Sequence, residues 1–289
     1  MKLTPREPRD GINTPPDPTF RNIAALVVGA VLIVGLFFLF VSLVVDTVVD
    51  TLDPETEREV FQGVIPVILE AFGEQGWDTE AEAALAPLFE RVRDAAPDLP
   101  YAFTVRVSCM DEPNALAVPG GAIVVTAGLL RILETEEELA FVLGHELGHF
   151  VGRDHLRGMG RAAALQLAFG MMFLTTGVDP TVAIQIAMEA FSSAHSREQE
   201  VKADEIGAQV LATLHAGDVS AAHRALNALH TALDSGALDQ VDFLRSHPVG
   251  EVRRERLDAL IADRGWHELK QRGTPLAPAM RAACTAETP

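Results

Sequence analysis

The chain has 289 residues and a formal net charge of −18 at neutral pH. That acidity excludes a nucleic-acid partner, because a phosphate backbone is bound by basic surfaces. With 48% hydrophobic residues, there is enough apolar side chain for one good-sized domain together with an anchor. The two cysteines, Cys109 and Cys284, match no metal-ligand spacing. They either form one disulfide in an oxidising compartment or remain two thiols.

Residues 1–22 are polar and rich in Pro and Gly, and read as a disordered tail. Residues 23–45 carry no charge. As a helix they span about 34 Å, enough for a hydrocarbon core of about 30 Å. The run is too long for a cleaved signal peptide and no A-x-A site follows it, so it reads as an uncleaved signal anchor. Lys2, Arg6, Arg9 and Arg21 precede it. Asp46, Asp50, Asp53, Glu55, Glu57 and Glu59 follow it, with only Arg58 among them. The positive-inside rule then keeps the N-terminus cytoplasmic and exports everything after the anchor to a periplasmic or other extracytoplasmic space.

Residues 46–100 form a helical lead-in. One helix is expected over Pro54 to about Phe72, capped by Asp53 with Pro54 in the first position, and a second over Thr79 to about Ala95. Residues 101–272 form the main domain. Tyr101–Ser108 alternates and is rich in β-formers, so it is a strand. Asn114–Leu130 predicts two short strands around Pro119-Gly120-Gly121, then a helix from about Ala127. The last strand, with Ala122, Ile123, Val124 and Val125, is expected at a sheet edge to which a peptide substrate can add by main-chain hydrogen bonds.

Phe141–Phe150 reads FVLGHELGHF and contains H-E-x-x-H at His145, Glu146 and His149. Four residues of helix turn through about 400°, so the two histidines share one face. Two imidazoles at that spacing can grip one Zn2+, and Glu146 can take a proton from water activated by the ion. Thr135 and Glu138 form a capping box that starts this helix. Its flanks are too apolar for a surface helix, so it is buried, and a metal satisfies its polar groups.

A catalytic zinc needs a third protein ligand. One candidate is Glu200 in SREQEVKAD (residues 196–204), with Asp204 on the same helical face. Asp204 can accept a hydrogen bond from the far nitrogen of a ligand histidine and fix its tautomer. The other candidate is His155, because residues 145–155 also satisfy H-E-x-x-H-x-x-G-x-x-H, the metzincin pattern. That reading requires a break at Gly152. A continuing helix carries His155 about 280° round from His145. No strong stop follows, and the methionines downstream lie in helical sequence rather than in a Met-turn, so Glu200 is favoured.

Four pieces in order, NALAVPGG, GHELGHF, SREQEVKAD and SHPVGEVRRERL, make the chain resemble the HtpX-like zinc metallopeptidases. This is the gluzincin family that includes the CAAX prenyl endopeptidases and several bacterial envelope proteases. The resemblance covers about Tyr101 to Leu257. It implies a zincin-like α+β domain, mostly helical with a small sheet, preceded here by one transmembrane helix. It implies one zinc held by His145, His149 and Glu200, with Glu146 as general base and Asp204 behind the ligands. His247, which matches the family's downstream His-Pro, then lies near the zinc, where it either steadies the oxyanion or occupies the open site at rest. Arg253 braces the site. The substrates implied are proteins or peptides, membrane-associated or misfolded, in envelope quality control beside the lipid bilayer. The rival readings are a metzincin-type protease and a non-cleaving, membrane-anchored holdase or binding protein on the same fold. Where the family often has a histidine five residues after the second ligand, this chain has Asp154, to which the resemblance assigns no chemistry.

Residues 161–192 are expected to form an apolar helical hairpin. Helices follow over Val219–Ala237 and Glu251–Arg264, with a loop over 239–248. Residues 273–289 are expected to be a loose tail that Cys284 can tether.

Overall fold

The computed structural model describes residues 20–63, 65–173, 196–234, 247, 251–269 and 273–285. It divides into two units, residues 1–44 and 45–289. The first unit contributes most of α1 (Phe20–Thr51), which extends the uncharged run at both ends. An 18-residue window of it has a mean hydropathy of 3.0 and no buried residue, so α1 is long and apolar enough to cross a membrane.

The second unit begins with the last turns of α1. It continues through α2 (Pro54–Phe61), α3 (Ile65–Phe72) and α4 (Thr79–Ala95). Asp53 and Asp78 cap α2 and α4 by accepting from backbone N–H groups two and three residues ahead. The single helix expected over Pro54–Phe72 is two short ones. The lead-in is not peripheral, because Leu85, Leu88, Phe89 and Val92 of α4 are buried in the main core.

Three strands follow, β1 (Thr104–Ser108), β2 (Ala115–Val118) and β3 (Ala122–Thr126), in the order β1-β3-β2. β3 runs parallel to β1, from Thr104 opposite Ala122 to Ser108 opposite Thr126. It runs antiparallel to β2, from Ala115 opposite Val125 to Val118 opposite Ala122. This corrects the expectation for Ala122, Ile123, Val124 and Val125. They form the central strand, with main-chain groups committed on both sides, so no peptide can add there. Among the described residues the outer edges belong to β1 and β2, and that of β1 is partly covered, since Val107 O accepts from Asp78 N and Val107 N donates to Glu82. The hairpin spacing around Gly120 predicted the β2 partner, but the parallel pairing with β1 is a long-range contact that spacing does not encode.

Then come α5 (Ala127–Ile132), α6 (Glu136–Gly152) and α7 (Asp154–Phe173). They are followed by α8 (Arg197–Leu214), α9 (Ser220–Asp234), α10 (Glu251–Arg264) and α11 (Pro278–Arg281). α6 starts at the Thr135/Glu138 capping box, and every residue from Glu138 to Phe150 is buried. Around it lie α4, β2, α8 and α9. The C-terminal segment is not a loose tail over its described residues. Leu276, Met280 and Ala283 are buried, Cys284 is disulfide-bonded to Cys109, and Thr274 donates its N–H to Glu137 at the start of α6. Of the hairpin expected over 161–192, residues 174–192 lie outside the described residues. So does the expected loop over 239–248, apart from His247.

α8 packs against α6 through small residues. A Cβ on Gly148 would fall 2.7 Å from Ala203 Cα, and one on Gly144 would fall 3.0 Å from Gly207 Cα. The two backbones therefore touch only because those side chains are missing. Gly148→Ala is expected to push α8 away and to cost about 1–3 kcal/mol, the range typical of overpacking. Chemical denaturation of the variant beside the parent protein measures it.

Candidate metal centre

The His145 and His149 side chains leave α6 on one face, with their Nε2 atoms 3.1 Å apart. Their other nitrogens point away from each other and are each held by a carboxylate. His145 Nδ1 lies 2.9 Å from Asp204 Oδ1 and His149 Nδ1 lies 2.8 Å from Asp154 Oδ2. With Nδ1–H donating to a carboxylate, each Nε2 is left as a lone-pair donor aimed at the common point.

α8 supplies the opposite wall. Its start is set by a capping box between Ser196 and Gln199, which directs Glu200 and then Asp204 inward. Glu200 Oε2 lies 3.6 Å from His145 Nε2, and Oε1 lies 3.5 Å from His149 Nε2. His247 closes the group. Its Nδ1 is 3.2 Å from His145 Nε2, 3.3 Å from His149 Nε2 and 3.0 Å from Glu200 Oε1. Each of the four side chains is 1% exposed. Together they can hold a metal ion.

Arg253 on α10 braces the outer side. Its Nε and Nη2 reach Asp204 Oδ2 and Oδ1 at 2.8 and 2.6 Å, a two-point grip, and Nη1 lies 2.8 Å from Glu200 Oε2. Glu146 is also buried, and its Oε1 has no hydrogen-bond partner among the described residues. The nearest ionisable partner for that oxygen is His247 Nε2 at 3.8 Å.

The charges do not balance without a cation. Glu146, Asp154, Glu200 and Asp204 are all buried, and the basic side chain buried among them is Arg253. Burial, helped by His149, Arg253 and His247 and opposed by Glu200, pushes the His145 imidazole well below its ordinary value, so that histidine is neutral and ready to donate a lone pair. At His149 burial also opposes the charged form, but the Asp154 hydrogen bond and the Glu146 and Glu200 carboxylates outweigh it and raise the pKa. Burial penalises the Glu200 carboxylate as well, yet His247, His145 and Arg253 beside it hold its pKa down to about 2. Three imidazole nitrogens within hydrogen-bond distance of one another cannot all be satisfied by each other's protons. A divalent cation among them satisfies all three and offsets the surplus negative charge. The residues present fit a metal.

His145, His149, Glu200, His247, Asp204, Arg253 and Glu146 thus converge, whereas His155 does not. α6 does stop where the metzincin pattern needs it to, at Gly152, with Arg153 in the left-handed region at φ 51. This corrects the expectation of a continuing helix. The turn nevertheless sends His155 to Glu57, 3.3 Å from its Oε1, and not to the other histidines. Asp154 is the residue that sequence reasoning passed over. It holds His149 and also accepts from Gln199 Nε2 at 2.6 Å. A usable signal existed, because the second imidazole of any H-E-x-x-H pair needs an acceptor for its far nitrogen.

The sequence profile of peptidase family M48 matches residues 81–261. The chain is 34% identical over 157 residues to the mitochondrial metalloendopeptidase OMA1 of Arabidopsis thaliana, covering 52% of this chain and 30% of that protein. It is 30% identical over 171 residues to the protease HtpX homolog of Gemmatimonas aurantiaca, covering 52% of this chain and 60% of that protein. It is 38% identical over 157 residues to the protease HtpX homolog of Thermococcus kodakarensis, covering 45% and 53%. The aligned stretch spans less than two thirds of each of these three relatives. The profile match extends over more than half of the sequence, from α4 to α10 and through every converging side chain, and the chain belongs to peptidase family M48.

Proposed function

We propose that the chain is a membrane-anchored zinc metalloendopeptidase that cleaves protein or peptide substrates. The observation that carries this is the cage of three imidazole nitrogens and one carboxylate, with neighbouring donor atoms 3.0–3.6 Å apart. Tetrahedral zinc with bonds of about 2.0–2.2 Å needs ligand atoms about 3.3–3.6 Å apart. His145, His149 and Glu200 are the ligands in this reading. When bound, zinc supplies Lewis acidity, which activates a water and polarises the scissile carbonyl.

Glu146 is the general base. Its buried Oε1, with no hydrogen-bond partner among the described residues, accepts the water's proton at attack and returns it to the amide nitrogen as the bond breaks. Asp204 and Asp154 keep His145 and His149 in one tautomer, and Arg253 holds Asp204 and Glu200 in place through its guanidinium. His247 Nδ1 stands at rest in the fourth corner of the cage, where a substrate oxygen has to enter. Turnover therefore requires the His247 ring to swing out, after which it can donate a hydrogen bond to the oxyanion.

The topology follows from the anchor. The N-terminal flank is basic and the stretch after the span is acidic, so residues after the anchor face an extracytoplasmic space such as the periplasm. The Cys109–Cys284 disulfide supports that side, since such bonds persist in oxidising compartments. Substrates there are membrane-associated or misfolded proteins, and the role is envelope quality control. We divide the chain into a tail (1–22), anchor (23–45), helical lead-in (46–100), peptidase domain (101–272) and C-terminal segment (273–289). The closed four-donor cage favours one second reading, a protein in which the metal is structural and nothing is cleaved.

Bound zinc and cleavage of an unfolded protein such as casein test this. Glu146→Gln is expected to keep its zinc and lose about 10²–10⁴-fold in cleavage rate. Zinc and activity should both disappear in Glu200→Ala and both survive in His155→Ala. The reverse pattern would make this a metzincin. His247→Ala is expected to retain zinc and to cleave at a changed rate. Full zinc with no cleavage in both wild type and His247→Ala would establish the structural-metal reading instead.

A further inference from the structure

Arg153 is the C-cap of α6, with φ 51 and ψ 34. A side chain with a Cβ in that region costs on the order of 1 kcal/mol, and glycine costs nothing there. An arginine kept at such a position must be doing something with its side chain. Its Nη1 donates to the carbonyl oxygens of Val49, at 2.6 Å, and Leu52, the last carbonyls at the end of α1. Val49 O also accepts from Leu52 N at 3.3 Å, and the guanidinium adds a charged donor to these terminal carbonyls, capping the end of the helix. Its Nη2 donates to Glu57 Oε2 at 3.0 Å.

Glu57 is itself immobilised. It is fully buried, and it accepts from Tyr101 Oη at 2.7 Å, from Gly120 N at 3.1 Å and from His155 Nε2 at 3.3 Å. Tyr101 ahead of β1, Gly120 in the β2–β3 turn, and Arg153 and His155 around the start of α7 thus meet on one carboxylate of α2. On its other side Arg153 reverses the chain, and the next residue is Asp154. Asp154 Oδ2 holds His149 Nδ1 at 2.8 Å, and Oδ1 takes Gln199 Nε2 at 2.6 Å. Two adjacent residues, Arg153 and Asp154, therefore connect the carbonyls at the end of the anchor helix to a histidine of the cage.

We propose that Arg153 is a positioning residue that ties the end of the anchor helix to the metal centre. By gripping the Val49 and Leu52 carbonyls and Glu57, it holds the left-handed turn that presents Asp154 to His149. Metal affinity in this protein depends on how the end of α1 is seated. The inference rests on the assignment of His145, His149 and Glu200 as ligands. It adds that the segment leaving the membrane anchor takes part in setting the site.

The test uses the full chain in detergent. Arg153→Gly removes the side chain while favouring the left-handed backbone, so the turn itself is not penalised. Zn2+ affinity is measured by competition with a chelator, alongside the visible absorption band of the Co2+-loaded protein and the thermal midpoint. Loss of an outer partner of a metal ligand typically weakens binding about 10–100-fold. Arg153→Gly is expected to bind Zn2+ about tenfold more weakly, at the low end of that range, and to shift the Co2+ band with little change in midpoint. Glu57→Gln should act in the same direction and serves if Arg153→Gly does not fold. Arg161→Ala breaks a different contact to the last turns of α1, from α7 to Asp46 at 2.8 Å, and should bind metal like wild type. Wild-type Zn2+ affinity and an unshifted band in Arg153→Gly, or in Glu57→Gln if only that variant folds, would overturn the proposal. Weakened affinity in Arg161→Ala equal to that in Arg153→Gly would also overturn it, since any disturbance of the last turns of α1 would then suffice. Glu200→Ala is run in parallel. If it kept its zinc, the ligand assignment itself would fail, whatever Arg153→Gly did.

Discussion

The close approach of α6 and α8 is the constraint on which the site depends. Gly144 and Gly148 on one helix meet Gly207 and Ala203 on the other with almost no side chain between them. The glycines weaken both helices intrinsically, by about 1 kcal/mol each relative to alanine. They also remove the spacer that would keep the carboxylates of α8 from the imidazoles of α6. With an ordinary side chain in the seam, Glu200 and Asp204 would stand too far out to meet His145 and His149. The Ser196 capping box fixes where α8 begins, so the depth and the rotation of its acidic face are both set locally.

That seam encloses a dense electrostatic cluster. Buried carboxylates are expensive unless each is paired, and here they are shared among imidazoles and one guanidinium. Arg253 grips Asp204 at two points, and Asp204 in turn holds His145. Asp154 does the same for His149, with Gln199 as its second partner. The protein thereby orients its imidazoles from behind. The surplus negative charge among the buried groups gives a cation a reason to sit there.

The rest of the fold clamps α6 from both ends. At its start, Glu137 accepts from the Thr274 N–H, and the segment that carries Thr274 is fastened by the disulfide at Cys284. At its end, Arg153 joins the helix to the carbonyls that terminate α1 and to Glu57. The C-terminal residues that read as a tail are therefore part of the core, with Leu276, Met280 and Ala283 buried. Small, alanine-rich sequence carries little hydrophobic signal of its own, and its burial is decided by the groove into which it fits.

Much of this was legible in the residues. The uncharged run at 23–45 specified an anchor by length alone. H-E-x-x-H specified two imidazoles on one face because the helical repeat leaves no alternative, and the Thr135 and Asp53 caps marked helix starts because their side-chain oxygens have one nearby use. Other features depended on contacts between distant segments. Ala122–Val125 lies in mid-sheet because β1, outside the hairpin and a few residues upstream of it, pairs with its open side. Asp154 matters because the chain reverses at Arg153, a left-handed residue that no helix propensity anticipates. Glu57, which read as one acid among several after the anchor, becomes a buried hub because Tyr101, Gly120 and the Arg153–His155 turn arrive from three separate stretches. The sequence by itself determined the local geometry and the chemistry each residue can offer, since both are set within a turn or two of chain. Which donors meet, and which are left facing a common point, only the tertiary structure decided, because that depends on backbone approach between segments far apart in the chain.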